Sequence, residues 1–183
     1  MTSGIDPEAN FSALEAAAIG AGEGGAEILF TPEMSVLLDK DRKRAEPWIE
    51  STEPSRISDW LEKLSAEAGI DLAIGSMPVM GADKRWANRS FYFGGSLGLR
   101  AIYDKIHMFD VQLSNGESWR ESSAYEPGKE VVTVDDTPLG RLGLTICYDM
   151  RFPALFEELG QRKCDAIAIP AAFTVPTGRD HWH

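Results

Sequence analysis

Three side chains in this sequence complement one another chemically and stand at comparable places along the chain. Cys147 closes the apolar run Gly143-Leu144-Thr145-Ile146 and is followed within a few residues by Phe152-Pro153, where a helix can begin. A thiol between the end of a strand and the positive end of a helix is expected to have a lowered pKa and to be open to attack. The neighbouring Tyr148 N–H is then available to hydrogen-bond a developing oxyanion. Glu33 follows the run that ends at Phe30, in Phe30-Thr31-Pro32-Glu33-Met34, and Lys105 follows the run that ends near Tyr103, in Tyr103-Asp104-Lys105-Ile106-His107. Positions just beyond strand ends are where α/β sheets gather their chemistry. A nucleophilic thiol needs a base and a group to hold charge, and this trio offers both. Taken singly, each has a plainer explanation: a cysteine in a strand is commonly an apolar filler, and a Glu or Lys after a strand a solvated loop charge. Cys164, in Lys163-Cys164-Asp165, lacks that setting and reads as structural. His107 and His181 keep open a competing Cys–His arrangement of the papain kind.

The elements that must hold these groups alternate between helix and strand. Asp6-Pro7-Glu8 is a helix start, with Asp as cap and Pro at the first helical position, and the helix runs over 7–22 into a glycine cluster. A buried strand is predicted over 26–30, a helix patterned by Ile57, Trp60, Leu61, Leu64 and Ala68 ends at Gly69, and a strand follows over 70–76. Residues 88–94 and 97–103 read as a hairpin through Gly94-Gly95-Ser96. The polar stretch 104–130 has no clear period and is the kind of segment that covers a site. Strands over 131–134 and 140–146, a helix over 153–160 and a strand over 165–170 complete the pattern, an α/β sandwich with a mixed sheet. With 183 residues the chain suits one domain, spanning 1–183.

Composition narrows the function. Apolar residues make up 43% and charged residues 26%, and the formal charge is −11, which disfavours nucleic acid or an anionic membrane as partner. No apolar run approaches the roughly 20 residues needed to cross a bilayer, and the expectation is a cytoplasmic protein. Two cysteines and three histidines form no CxxC or HExxH pattern. His181 and His183 at the C-terminal end read as a frayed end, so no metal is expected.

The stretches Leu29 to Glu33, Tyr103 to His107 and Gly143 to Pro153 resemble, in order and spacing, the nitrilase superfamily of carbon–nitrogen hydrolases. That resemblance implies an αββα four-layer sandwich and a Glu–Lys–Cys triad of Glu33, Lys105 and Cys147. It also implies no cofactor, a small-molecule amide substrate, a thioester intermediate and a homodimer. A second active-site glutamate is implied after the lysine; Glu121 in Trp119-Arg120-Glu121-Ser122 fits, with Glu117 and Glu126 as competitors. A first strand before residue 1 and C-terminal strands and helices beyond residue 183 are implied to be missing. The run Cys147-Tyr148-Asp149-Met150-Arg151-Phe152-Pro153, with Pro170-Ala171-Ala172-Phe173-Thr174, resembles the branch that contains deaminated glutathione amidase and omega-amidase. True nitrilases usually carry Trp-Glu after the cysteine. Trp119 and the stretch 114–118 lean toward deaminated glutathione. Carboxylate-bearing substrates need a local cation: Arg151 is the candidate, its alternative being an ion pair with Asp149 or another acid that fixes the loop. Phe173 and Thr174 are placed in the pocket lining, although Phe173 fits the core equally. The rival from another class is a truncated, non-catalytic interaction protein.

Overall fold

In the computed structural model, residues 1–51, 54–81, 85–112, 118–173 and 178–179 are described. The first helix, α1 (Pro7–Glu23), begins as the sequence predicts: the Asp6 carboxylate accepts the N–H groups of Glu8 and Ala9 at 3.1 and 3.4 Å. Strand β1 (Ile28–Phe30) follows, and then α2 (Arg42–Ser51), which the sequence reading did not anticipate. Helix α3 (Pro54–Ala68) buries Ile57, Leu61 and Leu64 and stops at Gly69, whose φ of +67° is the left-handed conformation glycine allows.

Strands β2 (Asp71–Met80), β3 (Trp86–Phe93) and β4 (Leu99–Asp104) join β1 in one sheet of order β1-β2-β3-β4. β1 pairs parallel to β2, and the other pairs are antiparallel. β2 runs on past the expected strand end at residue 76, with a register shift between Ile74 and Met77. A short hairpin, β5 (Asp110–Gln112) with β6 (Ser118–Arg120), gives order to the polar stretch and leads into a 3-10 turn over Glu121–Ser123. The last sheet has order β7-β8-β9, from β7 (Thr133–Thr137), β8 (Gly140–Leu144) and β9 (Ala166–Ala168), with α4 (Pro153–Gln161) between the last two strands.

Alternation along the strands sorts the core into layers. Leu72, Ile74, Phe91 and Phe93 pack with Leu14, Ala18, Leu61 and Leu64 of the two long helices. Ala73, Tyr92 and Tyr103 on the opposite face pack with Val134, Leu142 and Leu144 of the other sheet. Between those two leucines Gly143 faces outward, where a Cβ would stand 2.9 Å from Leu159 of α4. Helix, sheet, sheet and helix therefore stack in that order, the four-layer αββα arrangement. Each buried large apolar side chain contributes about 1.5–3 kcal/mol to holding the layers together.

Candidate active site

The loop after β1 is held by its own backbone and by β2. The Thr31 N–H donates to the Ala73 carbonyl at 3.1 Å, and the Gly75 N–H donates to Thr31 Oγ1 at 2.9 Å. Ser35 Oγ donates to Thr31 Oγ1 at 2.6 Å, while the Met34 N–H reaches Ser76 Oγ at 3.0 Å. Gly75 is required by this approach: a Cβ there would lie 2.2 Å from the Thr31 carbonyl oxygen and 2.4 Å from that of Pro32. The outcome is a fixed, buried Glu33, 7% exposed.

Lys105 extends the line of β4. Its N–H donates to the Asn88 carbonyl at 2.9 Å and its carbonyl accepts the Gly128 N–H at 2.8 Å. The Nζ, on a side chain only 2% exposed, lies 3.1 Å from Glu33 Oε1 and 2.9 Å from Glu121 Oε2. Burial alone would push this ammonium's pKa down, but the Glu33 and Glu121 carboxylates override it and hold Lys105 above its ordinary value. Of the three candidate second glutamates, Glu121 is the one at the lysine; Glu126 lies elsewhere, beside Gly81, and Glu117 falls outside the described residues. Its turn is fixed by the Phe109 N–H, which donates to Glu121 Oε2 at 2.7 Å, and by the guanidinium of Arg42 on Ser123 and of Arg85 on the Ser122 carbonyl.

Cys147 sits at the head of a 3-10 turn over Cys147–Arg151 with φ +47°, a conformation rare for a residue with a side chain. Its N–H donates to the Pro170 carbonyl at 2.8 Å, and the thiol meets the Glu33 carboxylate and the Ala172 N–H. The Ala172 N–H also donates to Glu33 Oε2 at 3.0 Å. The three residues that carry the sequence argument are therefore brought together. The expected lowering of the thiol pKa is not found. Burial, and then the charge on Glu33, push it up to about 12, with Lys105 opposing. Helix α4 begins only at Pro153, after the turn, so the first backbone to meet the sulfur is not a helix end.

Sequence reasoning passed over Asn88 altogether and missed the part that Asp149 plays at the site. Asn88, fully buried on β3, donates through Nδ2 to Glu33 Oε1 at 3.0 Å and to Glu121 Oε1 at 3.2 Å. Asp149, also fully buried, accepts the Tyr103 hydroxyl at 2.6 Å, the Ile146 N–H at 2.9 Å and the His107 N–H at 2.9 Å, and it pairs with His107 Nδ1 at 2.8 Å. His107 thus turns its Nδ1 to Asp149, with its ring stacked 3.6 Å from that of Phe152. Among the described residues no acceptor within the protein meets the Tyr148 N–H. The Tyr148 ring packs edge-on against Phe109 and Phe152. Arg151 is exposed, Phe173 is half-buried, and Thr174, His181 and His183 lie outside the described residues.

A half-buried cysteine in contact with a carboxylate that shares a lysine with a second carboxylate defines a class of hydrolase site. The chain belongs to the carbon–nitrogen hydrolase family, which it matches over residues 1–183. It is 38% identical over 161 residues to the deaminated glutathione amidase of Yersinia enterocolitica, covering 86% of this chain and 56% of that protein. It is 39% identical over 129 residues to the omega-amidase NIT2 of Homo sapiens, covering 70% of this chain and 46% of the other. The crystal structure of the C. elegans NitFhit protein superimposes with a TM-score of 0.85 at 32% identity, over 100% of this chain and 44% of that one. The chain thus spans about half the length of the curated relatives it matches.

Proposed function

We propose that this protein hydrolyses the C–N bond of a small, carboxylate-bearing amide through a cysteine thioester. The observation that carries the reading is the contact of the Cys147 thiol with the buried Glu33, itself paired to Lys105 at 3.1 Å. A thiol whose pKa stands near 12 is protonated at neutral pH, so attack requires Glu33 to take the proton as the C–S bond forms. Lys105 and the Tyr148 N–H stabilise the tetrahedral oxyanion. The proton held by Glu33 passes to the leaving nitrogen, ammonia departs and the thioester remains. Glu33 then deprotonates a water that attacks the thioester, releasing the carboxylic acid and restoring the thiol. Glu121 positions Lys105, and no cofactor or metal enters these steps.

The substrate reading is deaminated glutathione, with the ω-amides of α-keto dicarboxylic acids as the competing choice. The names of the relatives and the Tyr148-Asp149 pair after the nucleophile support this branch. Arg151, Phe173 and Thr174 serve as the substrate-side contacts in this reading, on a single domain acting as a cytoplasmic homodimer. The test is ammonia release from deaminated glutathione, α-ketoglutaramate and a carbamoyl amide, each with wild-type protein and with Cys147→Ala. Release that needs Cys147 and is fastest with deaminated glutathione is the expected result. Faster release from α-ketoglutaramate moves the assignment to omega-amidase. No Cys147-dependent release from any of the three overturns the reading and leaves the interaction-protein rival.

A further inference from the structure

Glu33 and Glu121 are like charges gathered around one ammonium, and a lysine has only three N–H bonds to give. Lys105 Nζ contacts Glu33 Oε1, Glu121 Oε1 and Glu121 Oε2 at 3.1, 3.1 and 2.9 Å, so at rest its donors are turned to the two carboxylates. Any hydrogen bond it gives to a reacting oxygen must be taken from one of them. Something else must keep the carboxylates in place while that happens. The Asn88 amide meets this need, because its Nδ2 reaches the same two oxygens, Glu33 Oε1 and Glu121 Oε1. We infer that Asn88 is a positioning residue of the reaction: a neutral double donor that clamps the base and the second glutamate, leaving Lys105 able to turn toward the substrate. The inference rests on the proposed hydrolysis.

The orientation of the amide follows from the chemistry. Asn88 Oδ1 is buried with no hydrogen-bond partner among the described residues. Turning the amide over would fill nothing and would set that oxygen against two carboxylates, so the unfilled acceptor is the smaller penalty. Neutrality matters as well. A second cation at this place would reduce the affinity of Glu33 for the thiol proton, whereas an amide fixes the carboxylate with less effect on its charge. The Cys147 thiol and the Tyr125 phenol also act on this group of charges, and neither brings a positive charge. Asn88 is also tied to the lysine through the backbone, its carbonyl accepting the Lys105 N–H at 2.9 Å.

A donor and a space-filling residue differ in how they respond to substitution. Asn88→Asp keeps the shape and reverses the polarity, while Asn88→Ala removes shape and donors together. A packing role makes the alanine variant the worse of the two; the clamp makes the aspartate variant worse. The experiment measures kcat and KM for ammonia release, with kcat normalised to the fraction of folded protein by thermal melting. For Asn88→Ala, kcat per folded site is expected to fall about 10- to 100-fold with KM changed less than about threefold. Asn88→Asp is expected to fall further still. An aspartate variant as active as the alanine variant, or more so, overturns the inference. Should the aspartate variant not fold, Asn88→Leu gives the second reading: activity near wild type overturns the clamp, and activity as low as that of Asn88→Ala supports it. If wild-type protein releases no ammonia from any amide, the proposed hydrolysis falls by itself. The clamp is then scored by the rate at which iodoacetamide alkylates Cys147, with wild type expected to exceed Asn88→Ala and equal rates overturning it.

Discussion

Two buried carboxylates, Asp149 in the turn that carries the nucleophile and Glu33 in contact with its thiol, are used in opposite ways. Asp149 is saturated: a phenol, two backbone N–H groups and an imidazole nitrogen fill both oxygens. It ties the end of β4 to the turn that carries the sulfur, and it has little capacity left for a proton in flight. Glu33 has the Lys105 ammonium, the Asn88 amide and the Ala172 N–H, and beside these it touches a thiol proton. Burial is similar for the two, 0% against 7% exposed, so depth does not separate a scaffold acid from a reacting one. The kind of donor does. Where the partners are fixed dipoles the acid holds structure; where they are a mobile ammonium and an acidic hydrogen, it can do chemistry.

The sharpest way to break this contrast is Glu33→Gln. Turnover is expected to fall by about 10³- to 10⁴-fold, since the base is gone. In the same variant the Cys147 thiol should titrate lower than the wild-type value of about 12. The charge on Glu33, second only to burial among the causes that raise it, is removed while Lys105 remains. A thiolate absorbance titration reads this directly; a thiol that titrates no lower refutes the electrostatic account. Lys105→Met should also abolish turnover, and it leaves the buried Glu33 and the partly buried Glu121 without their cation, at a loss of about 3–5 kcal/mol in urea unfolding. Because the folded state raises the lysine pKa, its stabilisation is complete below the ordinary lysine pKa. It is lost only as pH rises through the higher folded value. Wild-type stability from this pair should therefore stay flat across neutral pH and drop only in strong alkali.

The scaffold acid should behave in reverse. Asp149→Asn is expected to lose about 2–4 kcal/mol of stability, because it replaces an acceptor of charge-assisted bonds, with kcat per folded site falling only severalfold. A kcat loss as deep as that of Glu33→Gln, at unchanged stability, would make Asp149 a reacting acid rather than a scaffold one. The smallest effect belongs to Tyr103→Phe, which removes one donor to Asp149 and should destabilise by about 1–2 kcal/mol with near-normal turnover.

Much of this arrangement could be read from the chain. The Asp6 cap, the glycine stop of α3 and the hairpin of β3 and β4 rest on local rules, and local rules survive folding. Glu33, Lys105 and Cys147 were legible because each follows a strand and, above all, because the three stretches that hold them resemble the nitrilase superfamily in order and spacing. Helix α2 was not, since Arg42-Lys43-Arg44 and an internal Pro47 hide its one buried stripe of Ala45 and Ile49. The extension of β2 beyond residue 76 was masked by Pro78, a residue that ordinarily breaks a strand, and here the register shifts between Ile74 and Met77. Asn88 gave no signal because a polar residue in an alternating strand looks solvent-facing, and only the partner loops show it to be covered. Asp149 was weighed as a partner for Arg151, and its actual partners lie more than 40 residues upstream on β4 and the following loop, or at the turn's own entrance. The sulfur's raised pKa was out of reach for the same reason, since desolvation depends on what closes over it.

Residue 75 works as a doorstop: the strand can let the loop bearing the base rest on it only because nothing projects there. Even a methyl group must shove that loop aside, so Gly75→Ala would misplace the Glu33 carboxylate without touching it. In any mutational survey this interior strand position should therefore score like a member of the reaction centre, although it carries no functional group at all.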